Sequence, residues 1–386
     1  MKIVTAIDSF KGSLTSIEAG NAVALGIYHV DPSIQVDVRP LADGGEGTVE
    51  ALVAGMNGTA EEITVTGPFG EPVNCKYGII RDKMTAVIEM SAAAGITLVS
   101  RDKLNPLFAT TYGVGETICD AIQKGCRRFI VGIGGSATND GGVGMLQALV
   151  GMLQALGFEF LDRSGNAIPF GAVGLQNLEK ISTENVLNEL KECTFRVACD
   201  VTNPLCGPSG CSAVFGPQKG ATSSMVEDMD GWLGHYATLA KEVFPSADAK
   251  YPGTGAAGGL GFAFLTFLDA NLQSGIDIVL EETKLENYIQ DADLVITGEG
   301  KLDFQTAMGK APVGVARLAK KYNKPVIALA GAVTKDAGEC NKNGIDAFFP
   351  ITREICTLDE AMKPENAKQN MALTAEQAVR LFLVQK

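Results

Sequence analysis

Short apolar runs, each followed closely by a glycine or an aspartate, alternate with helical patterns along most of this chain. This alternation restricts the possible folds more than any other feature of the sequence. The strand-like runs are residues 3–7, 35–40, 129–133, 195–198, 294–297 and 326–330. Strands that alternate with helices are typical of parallel sheets, because parallel strands need a crossover connection. The sequence therefore predicts an α/β protein with mostly parallel sheets.

Residues 61–91 interrupt the alternation. Gly-Pro and Gly-Glu-Pro turns separate β-branched runs there, a pattern that predicts an antiparallel hairpin or meander. The strand–helix alternation returns near Glu286. We therefore expect two α/β domains, one inserted in the other. The outer, Rossmann-like domain would contain residues 1–60 plus 287–386, and the inserted domain, with an antiparallel or mixed portion in its sheet, residues 61–286.

Several helices have recognisable ends. Thr15 and Glu18 form a capping-box pattern that predicts a helix through about Tyr28. Pro312 suits the first turn of a helix over residues 313–322. Residues 143–157 predict a further helix, and residues 358–386 a helix-rich terminal segment.

Composition excludes several classes of protein. The 386 residues carry a formal net charge of −13, which argues against nucleic acid as a partner, because phosphate backbones require clusters of Lys and Arg. Nine cysteines with no CxxC pair, and only two histidines, favour a reducing cytoplasm. Two uncharged runs approach the length of a membrane span. Residues 141–158 contain two glutamines, and residues 251–268 contain a proline and several glycines, so both runs predict buried helices and no membrane span. A homo-oligomer is compatible with these features.

The glycine-dense stretch over residues 132–142 lies between a predicted strand and a predicted helix. Glycines let the backbone approach an anion, and the start of a helix favours negative charge. We therefore interpret the loop as a phosphate or carboxylate site, with a tight turn that binds no ligand as the alternative. Its candidate phosphate-binding residues are Gly134, Gly135, Ser136, Asn139 and Asp140.

The same stretch allows a second interpretation, as a dinucleotide-binding loop. Gly132, Gly134 and Ala137 fit a relaxed dinucleotide-binding fingerprint, and Asp162 ends a plausible next strand. That reading predicts an NAD-dependent hydroxyacid dehydrogenase. A non-catalytic nucleotide-binding module is a third possibility, although it leaves the many carboxylates in the loops unexplained.

Other polar, glycine-rich loops follow the remaining strands. The first contains Ser9, Lys11 and Ser13, where the single cation suits an anion. The second contains Asp43, Gly44, Gly45 and Glu46, and its carboxylates fit either Mg²⁺ bound through waters or the first turn of a helix. Asp200 ends a strand, and Gly298, Gly300 and Asp303 follow another. Ligands of open α/β sheets bind at such strand ends.

These loops, taken together and in this order, resemble the type I glycerate kinases of bacteria. The resemblance rests on the motifs IDSFKGS (7–13), ADGGEGT (42–48), GIGGSATNDGG (132–142), ACDV (198–201) with NPL (203–205), VFGPQKG (214–220), GAAGGLG (255–261) and TGEG (297–300) with Asp303, Gln305 and Thr306. It implies ATP and Mg²⁺ as cofactors, D-glycerate as substrate, a 2- or 3-phosphoglycerate product, and two α/β domains with one inserted in the other.

Phosphoryl transfer needs positioning and charge neutralisation, which suggests roles for individual residues. We expect Lys11 to anchor the glycerate carboxylate or the γ-phosphate, and Asp43 and Glu46 to hold the metal. Asp200 is the first candidate for the base and Asp303 the second. Ser9, Ser13, Gly44 and Gly45 are expected near the substrate, and Gly298 and Gly300 near the nucleotide.

Overall fold

The computed structural model describes residues 1–148 and 157–384. The chain divides into two compact units. The first unit contains Met1–Asp43, Glu50–Met56 and Ile276–Lys386, and the second contains Gly44–Val49 and Asn57–Gly275. The expected domain boundaries at residues 60/61 and 286/287 stay a prediction.

The helices and strands follow one another in three stretches of the chain. The first stretch contains β1 (Lys2–Ile7), α1 (Ser16–Val30), β2 (Gln35–Pro40) and α2 (Thr48–Gly55). The second contains β3 (Thr59–Thr66), β4 (Pro72–Ile80), β5 (Thr85–Glu89), α3 (Ser91–Ala94), α4 (Tyr112–Gln123), β6 (Arg128–Gly132), α5 (Val143–Gln147), β7 (Glu159–Leu161), β8 (Lys180–Ser182), β9 (Thr194–Ala198), α6 (Cys211–Phe215), α7 (Ser223–Val243), α8 (Ala256–Phe267) and β10 (Asn271–Gln273). The third contains α9 (Gly275–Glu282), α10 (Glu286–Ile289), β11 (Leu294–Leu302), α11 (Phe304–Ala307), α12 (Ala311–Lys321), β12 (Val326–Val333), β13 (Ala347–Pro350), α13 (Leu358–Met362) and α14 (Pro364–Leu383).

The first unit is built on a five-stranded sheet in the order β13-β12-β11-β1-β2, and every neighbouring pair is parallel. Numbered within this unit alone, the strand order is 2-1-3-4-5, that of the flavodoxin-like doubly wound fold. In such sheets the strand order reverses at one point, here between β1 and β11. Ligands bind at the carboxyl ends of the strands at this switch point.

The pairing of α1 with α14 shows how the sequence closes the first unit. Thr15 caps α1 with the predicted capping box, which Glu18 completes. A Cβ added at Gly26 would lie 2.0 Å from the carbonyl oxygen of Ala372, so only glycine permits this approach of the two helices. Buried apolar side chains of both helices, Val23 and Met371 among them, complete one core with those of the sheet.

The second unit contains a six-stranded mixed sheet in the order β10-β9-β6-β5-β4-β3. β3, β4 and β5 pair antiparallel, which confirms the meander predicted from residue 61 onward. The remaining pairs are parallel. The predicted fold class, mostly parallel α/β with a mixed portion in the insert, is confirmed.

Residues 132–148 differ from the pattern that the sequence predicts. The helix α5 covers only Val143–Gln147, and residues 149–156 of the expected helix lie outside the described residues. The strand predicted over residues 158–161 exists as β7, but it pairs antiparallel with β8 in a separate two-stranded sheet. Because β7 does not join the parallel sheet and α5 begins well after Ala137, the dinucleotide-binding reading with Asp162 is wrong.

Among the described residues, no helix combines the length and the apolar character needed to cross a membrane.

Candidate active site

A cleft of about 730 Å³ lies at the switch point of the first unit. It is bordered by Asp8, which directly follows β1, by Glu299 in the second half of β11, and by Gly331 of β12. Of the predicted site residues, the cleft gathers Ser9, Lys11, Ser13, Asp43, Gly300 and Asp303. The parallel topology explains this gathering, since strands that run the same way end at one edge of the sheet.

The cleft is densely charged. Its lysines are Lys11, Lys301 and Lys310, and its carboxylates are Asp8, Asp43, Glu299 and Asp303. Phosphate and carboxylate ligands require cations of this kind, and phosphates are commonly bound with a divalent ion that carboxylates help to hold.

Asp8 is the most strongly perturbed carboxylate in the cleft. It is only 5% exposed, and its Oδ1 accepts a hydrogen bond of 2.7 Å from the amide of Ser9. Burial, followed by the charge of Asp43, raises the pKa of Asp8 to about 7. A carboxylate with a pKa near neutrality in a cleft is typical of acid–base groups in enzymes.

Glu299 and Asp303 are held by the start of α11. Glu299 accepts a hydrogen bond from the Thr306 hydroxyl, and burial raises its pKa. Asp303 is the N-cap of α11 and accepts from the amides of Gln305 and Thr306. Partial burial raises the pKa of Asp303, but contacts with Lys301 and with these amides outweigh it and leave the pKa below its usual value.

Gly298 differs from the other predicted residues of this region because it is buried between strands. A Cβ there would lie 2.1 Å from the carbonyl oxygen of Leu329, and its own carbonyl accepts from the amide of Asp8. Gly298 therefore sets the spacing of β1, β11 and β12 at the base of the cleft.

In the second unit, the loop after β6 packs on the turn at Gly44 and Gly45. A Cβ added at Gly132 would lie 2.3 Å from the carbonyl oxygen of Gly44, and one at Gly44 would lie 2.5 Å from Cβ of Ala198. Gly134 and Gly135 are exposed, while Ser136 is buried. The exposed backbone of Gly134 and Gly135 is the part of the loop that a ligand can reach.

Lys219 lies beneath this loop and is not among the predicted site residues. It is 2% exposed, and its Nζ donates to Oγ of Ser136 at 2.7 Å and to the carbonyl oxygen of Thr138 at 2.6 Å. Burial lowers its pKa to about 8, and the charges of Cys211 and Asp140 oppose that effect. A signal was present in the sequence, because Lys219 is the only charged residue of the VFGPQKG motif.

Asp140 is buried in the second unit, where it accepts hydrogen bonds from neighbouring loops. Its carboxylate accepts hydrogen bonds from the amide and hydroxyl of Thr111 and from the amides of Gly142 and Gly144. Burial raises its pKa, although these bonds act in the opposite direction. The first amides of α5 are thus satisfied inside the protein, so the start of α5 is not the anion cradle that the motif predicts. Asn139 is also buried, and its amide nitrogen donates to the Ser212 hydroxyl.

Asp200, Glu46 and Glu89 complete the polar groups of this region of the second unit. Asp200 is exposed, and its Oδ1 accepts from the amide of Gly275 at 3.1 Å. Glu46 is exposed. Glu89, at the end of β5, accepts a hydrogen bond from the amide of Val49 in the first turn of α2. It therefore caps that turn, a role that the sequence pattern suggested for Asp43 or Glu46.

Within residues 1–148 and 157–384, no three His, Cys, Asp or Glu side chains are arranged to hold a metal ion by themselves. A magnesium ion in a phosphotransferase usually takes one or two carboxylates, with phosphate oxygens and waters as its other ligands. Clustered carboxylates that raise one another's pKa, as Asp43 does for Asp8 and Glu299, fit such a cation.

A doubly wound parallel sheet with a cleft of lysines and carboxylates at its switch point defines an α/β enzyme that handles phosphorylated or carboxylated small molecules. The chain belongs to the glycerate kinase family, whose model matches residues 3–383. This result confirms the resemblance seen in the sequence motifs, and it gives no support to the dehydrogenase or to a non-catalytic module.

Three relatives illustrate the match. Glycerate 2-kinase of Escherichia coli K12 is 48% identical over 379 residues, covering 97% of this chain and 98% of the relative. Glycerate kinase of Bacillus subtilis 168 is 47% identical and is covered in full, as is this chain. A crystal structure described as a candidate glycerate kinase 2 from Salmonella typhimurium LT2 superposes with a TM-score of 0.90 at 45% identity, covering 100% of this chain and 99% of that one.

Proposed function

We propose that this chain transfers the γ-phosphate of ATP to a hydroxyl group of D-glycerate, with Mg²⁺ as cofactor. The observation that carries the proposal is the cleft of the first unit, where Lys11 and Lys310 lie with Asp8, Asp43 and Glu299 at the switch point. Membership of the glycerate kinase family supports the choice of substrate.

In the reaction, the glycerate hydroxyl oxygen forms a bond to the γ-phosphorus while the bond from phosphorus to the ADP oxygen breaks. The hydroxyl proton passes to a carboxylate of the protein. Lys11 binds the substrate carboxylate or the transferred phosphoryl group, and its charge favours the negative transition state. Ser9 and Ser13 line the same cleft and offer hydroxyl groups to the substrate.

Three carboxylates are candidates for the base. We place Asp8 first because it directly follows β1 at the switch point, is buried, and accepts a hydrogen bond from the amide of Ser9. Asp303 is held by two backbone amides and Lys301, which favour its charged form and make it a weaker base. Asp200, the first candidate for the base from the sequence, lies in the second unit, and its role as the base stays a prediction.

We assign the metal to Asp43; Glu46, the other ligand expected from the sequence, lies in the second unit and stays a prediction. When bound there, Mg²⁺ would supply positive charge that offsets the negative charge developing during transfer. Asp43 lines the cleft of the first unit and carries the oxygen donors that magnesium prefers.

In the second unit, we propose that the backbone of Gly134 and Gly135 and the hydroxyl of Ser136 bind phosphate, with Gly44 and Gly45 as their packing partners. Asn139 and Asp140 then support this loop from inside. A cytoplasmic location fits the cysteines, all nine of which are free thiols.

The 2-hydroxyl is our choice of acceptor, because the relative from Escherichia coli is named glycerate 2-kinase. Phosphorus NMR after incubation with ATP, Mg²⁺ and D-glycerate tests both the proposed activity and the choice of acceptor, since 2- and 3-phosphoglycerate give separate signals. We expect 2-phosphoglycerate and ADP. A 3-phosphoglycerate signal would overturn the acceptor, and no phosphoglycerate at all would overturn the proposed activity.

A further inference from the structure

The cleft of the first unit changes character along its length. The charged groups lie between residues 8 and 310, on and after the strands β1, β2 and β11, whereas residues 351–370 contribute mainly apolar side chains. These apolar lining residues are Ile351, Leu358, Ala361, Met362 and Ala367. Glycerate and a triphosphate are anions rich in polar oxygens, and apolar walls cannot satisfy such groups. The apolar end therefore suits a different part of a ligand.

Two large apolar side chains near this end are exposed to water. Leu358, which lines the cleft, is 73% exposed, and Ile355, three positions earlier in the chain, is fully exposed. Large apolar side chains that face water beside a cleft mark a surface that becomes covered on binding. A flat aromatic ring is a suitable occupant, because it removes much apolar area from water with little entropy loss.

One amide lies among these apolar residues. Asn370 of α14 lines the cleft, and within the described part of the chain the structure records no hydrogen bond for its side chain. A carboxamide offers a donor and an acceptor side by side, and it pairs with the amino group and ring nitrogen of adenine through two hydrogen bonds.

The apolar end adjoins the anion-binding end. A Cβ added at Gly12 would lie 2.9 Å from Cε of Met362, so α13 packs on the loop that carries Lys11. The volume of about 730 Å³ falls in the range of sites for whole cofactors and exceeds what a small hydroxy acid fills.

We propose that the apolar end of this cleft is the adenine subsite of the nucleotide substrate. Asn370 pairs with the edge of the base, Leu358 and Met362 cover its faces, and the phosphates extend toward Lys11 and Lys310. This inference rests on the proposed function, because it assigns the base of the nucleotide that the kinase uses.

Cys356 supplies a direct test in the unmodified protein. It lines the cleft and is the exposed cysteine among the nine. The rate of its alkylation by iodoacetamide is measured by peptide mass spectrometry with no addition, with ATP, with adenosine, or with inorganic triphosphate. We expect ATP and adenosine to slow alkylation at least about fivefold and triphosphate alone to have little effect, because the base covers this end. Protection by triphosphate equal to that by ATP, or no protection by ATP and adenosine, would overturn the subsite.

A pair of substitutions tests recognition of the base. Asn370→Ala should lower kcat/KM for ATP about tenfold, the size of one amide–adenine pairing, and leave kcat/KM for GTP nearly unchanged. Leu358→Asp should raise KM for ATP with little effect on kcat, whereas Leu381→Asp, an exposed residue of α14 outside this cleft, should change neither. An unchanged preference for ATP over GTP in Asn370→Ala would contradict the assignment.

The two proposals fail in different ways. If wild-type protein forms no phosphoglycerate with either nucleotide, the proposed function is wrong. If it forms phosphoglycerate but nucleotide does not protect Cys356 and Asn370→Ala keeps the ATP preference, the function stands and the adenine subsite is wrong.

Discussion

Nζ of Lys219 donates a hydrogen bond of 2.7 Å to Oγ of Ser136, although 83 positions separate the two residues. An ammonium group has donors only, so the Ser136 hydroxyl accepts from it and keeps its own proton for another acceptor. The lysine therefore orients one loop hydroxyl as a donor and places a positive charge beneath the exposed glycines Gly134 and Gly135.

Lys219→Met should lower kcat/KM for ATP about tenfold to a hundredfold, because the Ser136 hydroxyl loses its orientation and the loop loses a charge. Steady-state kinetics at varied ATP measures this effect, with circular dichroism to establish that the variant is folded. Lys241→Met, an exposed change in α7, is the control and should match wild type. Equal kinetics for both variants would remove Lys219 from the loop's function.

Asp140→Asn should lower the free energy of unfolding by about 2–4 kcal/mol, because the new amide nitrogen would face N–H groups that the carboxylate now accepts from. Urea denaturation followed by circular dichroism measures the change. Asp82→Asn, at an exposed position, should stay within about 0.5 kcal/mol of wild type. If Asp140→Asn is as stable as wild type but binds ATP poorly, the carboxylate contacts the ligand instead.

Lys11→Ala should reduce kcat/KM by about two to four decades, the scale expected when one contact to the transition state is lost. The physical reason is the position of its ammonium in the cleft beside Asp8. Lys76→Ala, exposed on β4, controls for the loss of a surface charge. Activity of Lys11→Ala within a few-fold of wild type would remove Lys11 from the site.

Local sequence patterns predicted much of the fold. All six predicted strand runs exist as β1, β2, β6, β9, β11 and β12, and the Thr15–Glu18 capping box starts α1 as expected. These features depend on neighbouring residues, so a linear pattern contains the information. The contacts that hold the first turn of α5 and the separate pairing of β7 with β8 depend on residues far along the chain, such as Thr111 and Ile181, which no local period reveals.

The same distinction explains the site residues. Loops at strand ends could be found, because glycine and aspartate follow apolar runs, and six of the predicted residues line one cleft. Asp8 and Glu299 lie inside the sequence motifs but are not among the predicted site residues, because their importance comes from burial and from charges brought near by folding. Glu89 caps a helix that begins 41 positions earlier, at Thr48, which sequence spacing cannot indicate.

Substitution of the three candidate bases separates their roles. Asp8→Asn should reduce kcat by about two to four decades, the usual contribution of general base catalysis, with a smaller change in KM. Asp303→Asn should have the smaller effect, because its amide can still accept from the start of α11. Turnover measured near neutral pH decides the order. If Asp200→Asn abolishes turnover and Asp8→Asn does not, the base lies on the second unit.

Asp8 should also make stability depend on pH. Its pKa is about 7 in the folded protein and near 3.8 when unfolded, so the folded state binds more protons between these values. The contribution of Asp8 to the free energy of unfolding is therefore most favourable below about pH 4 and is lost as the pH rises through 7. Asp8→Asn should then gain stability over wild type across this window, by up to roughly 4 kcal/mol.

Thermal unfolding from pH 4 to 8 in magnesium-free buffer measures this gain for Asp8→Asn. Glu365→Gln, an exposed change in α14 of the same unit, is the control and should follow wild type. A constant difference in melting temperature between Asp8→Asn and wild type over this range would mean that Asp8 ionises alike in both states. In that case the Asp8 carboxylate would be charged at neutral pH in the folded protein. Its suitability as a proton acceptor would then depend only on its position directly after β1.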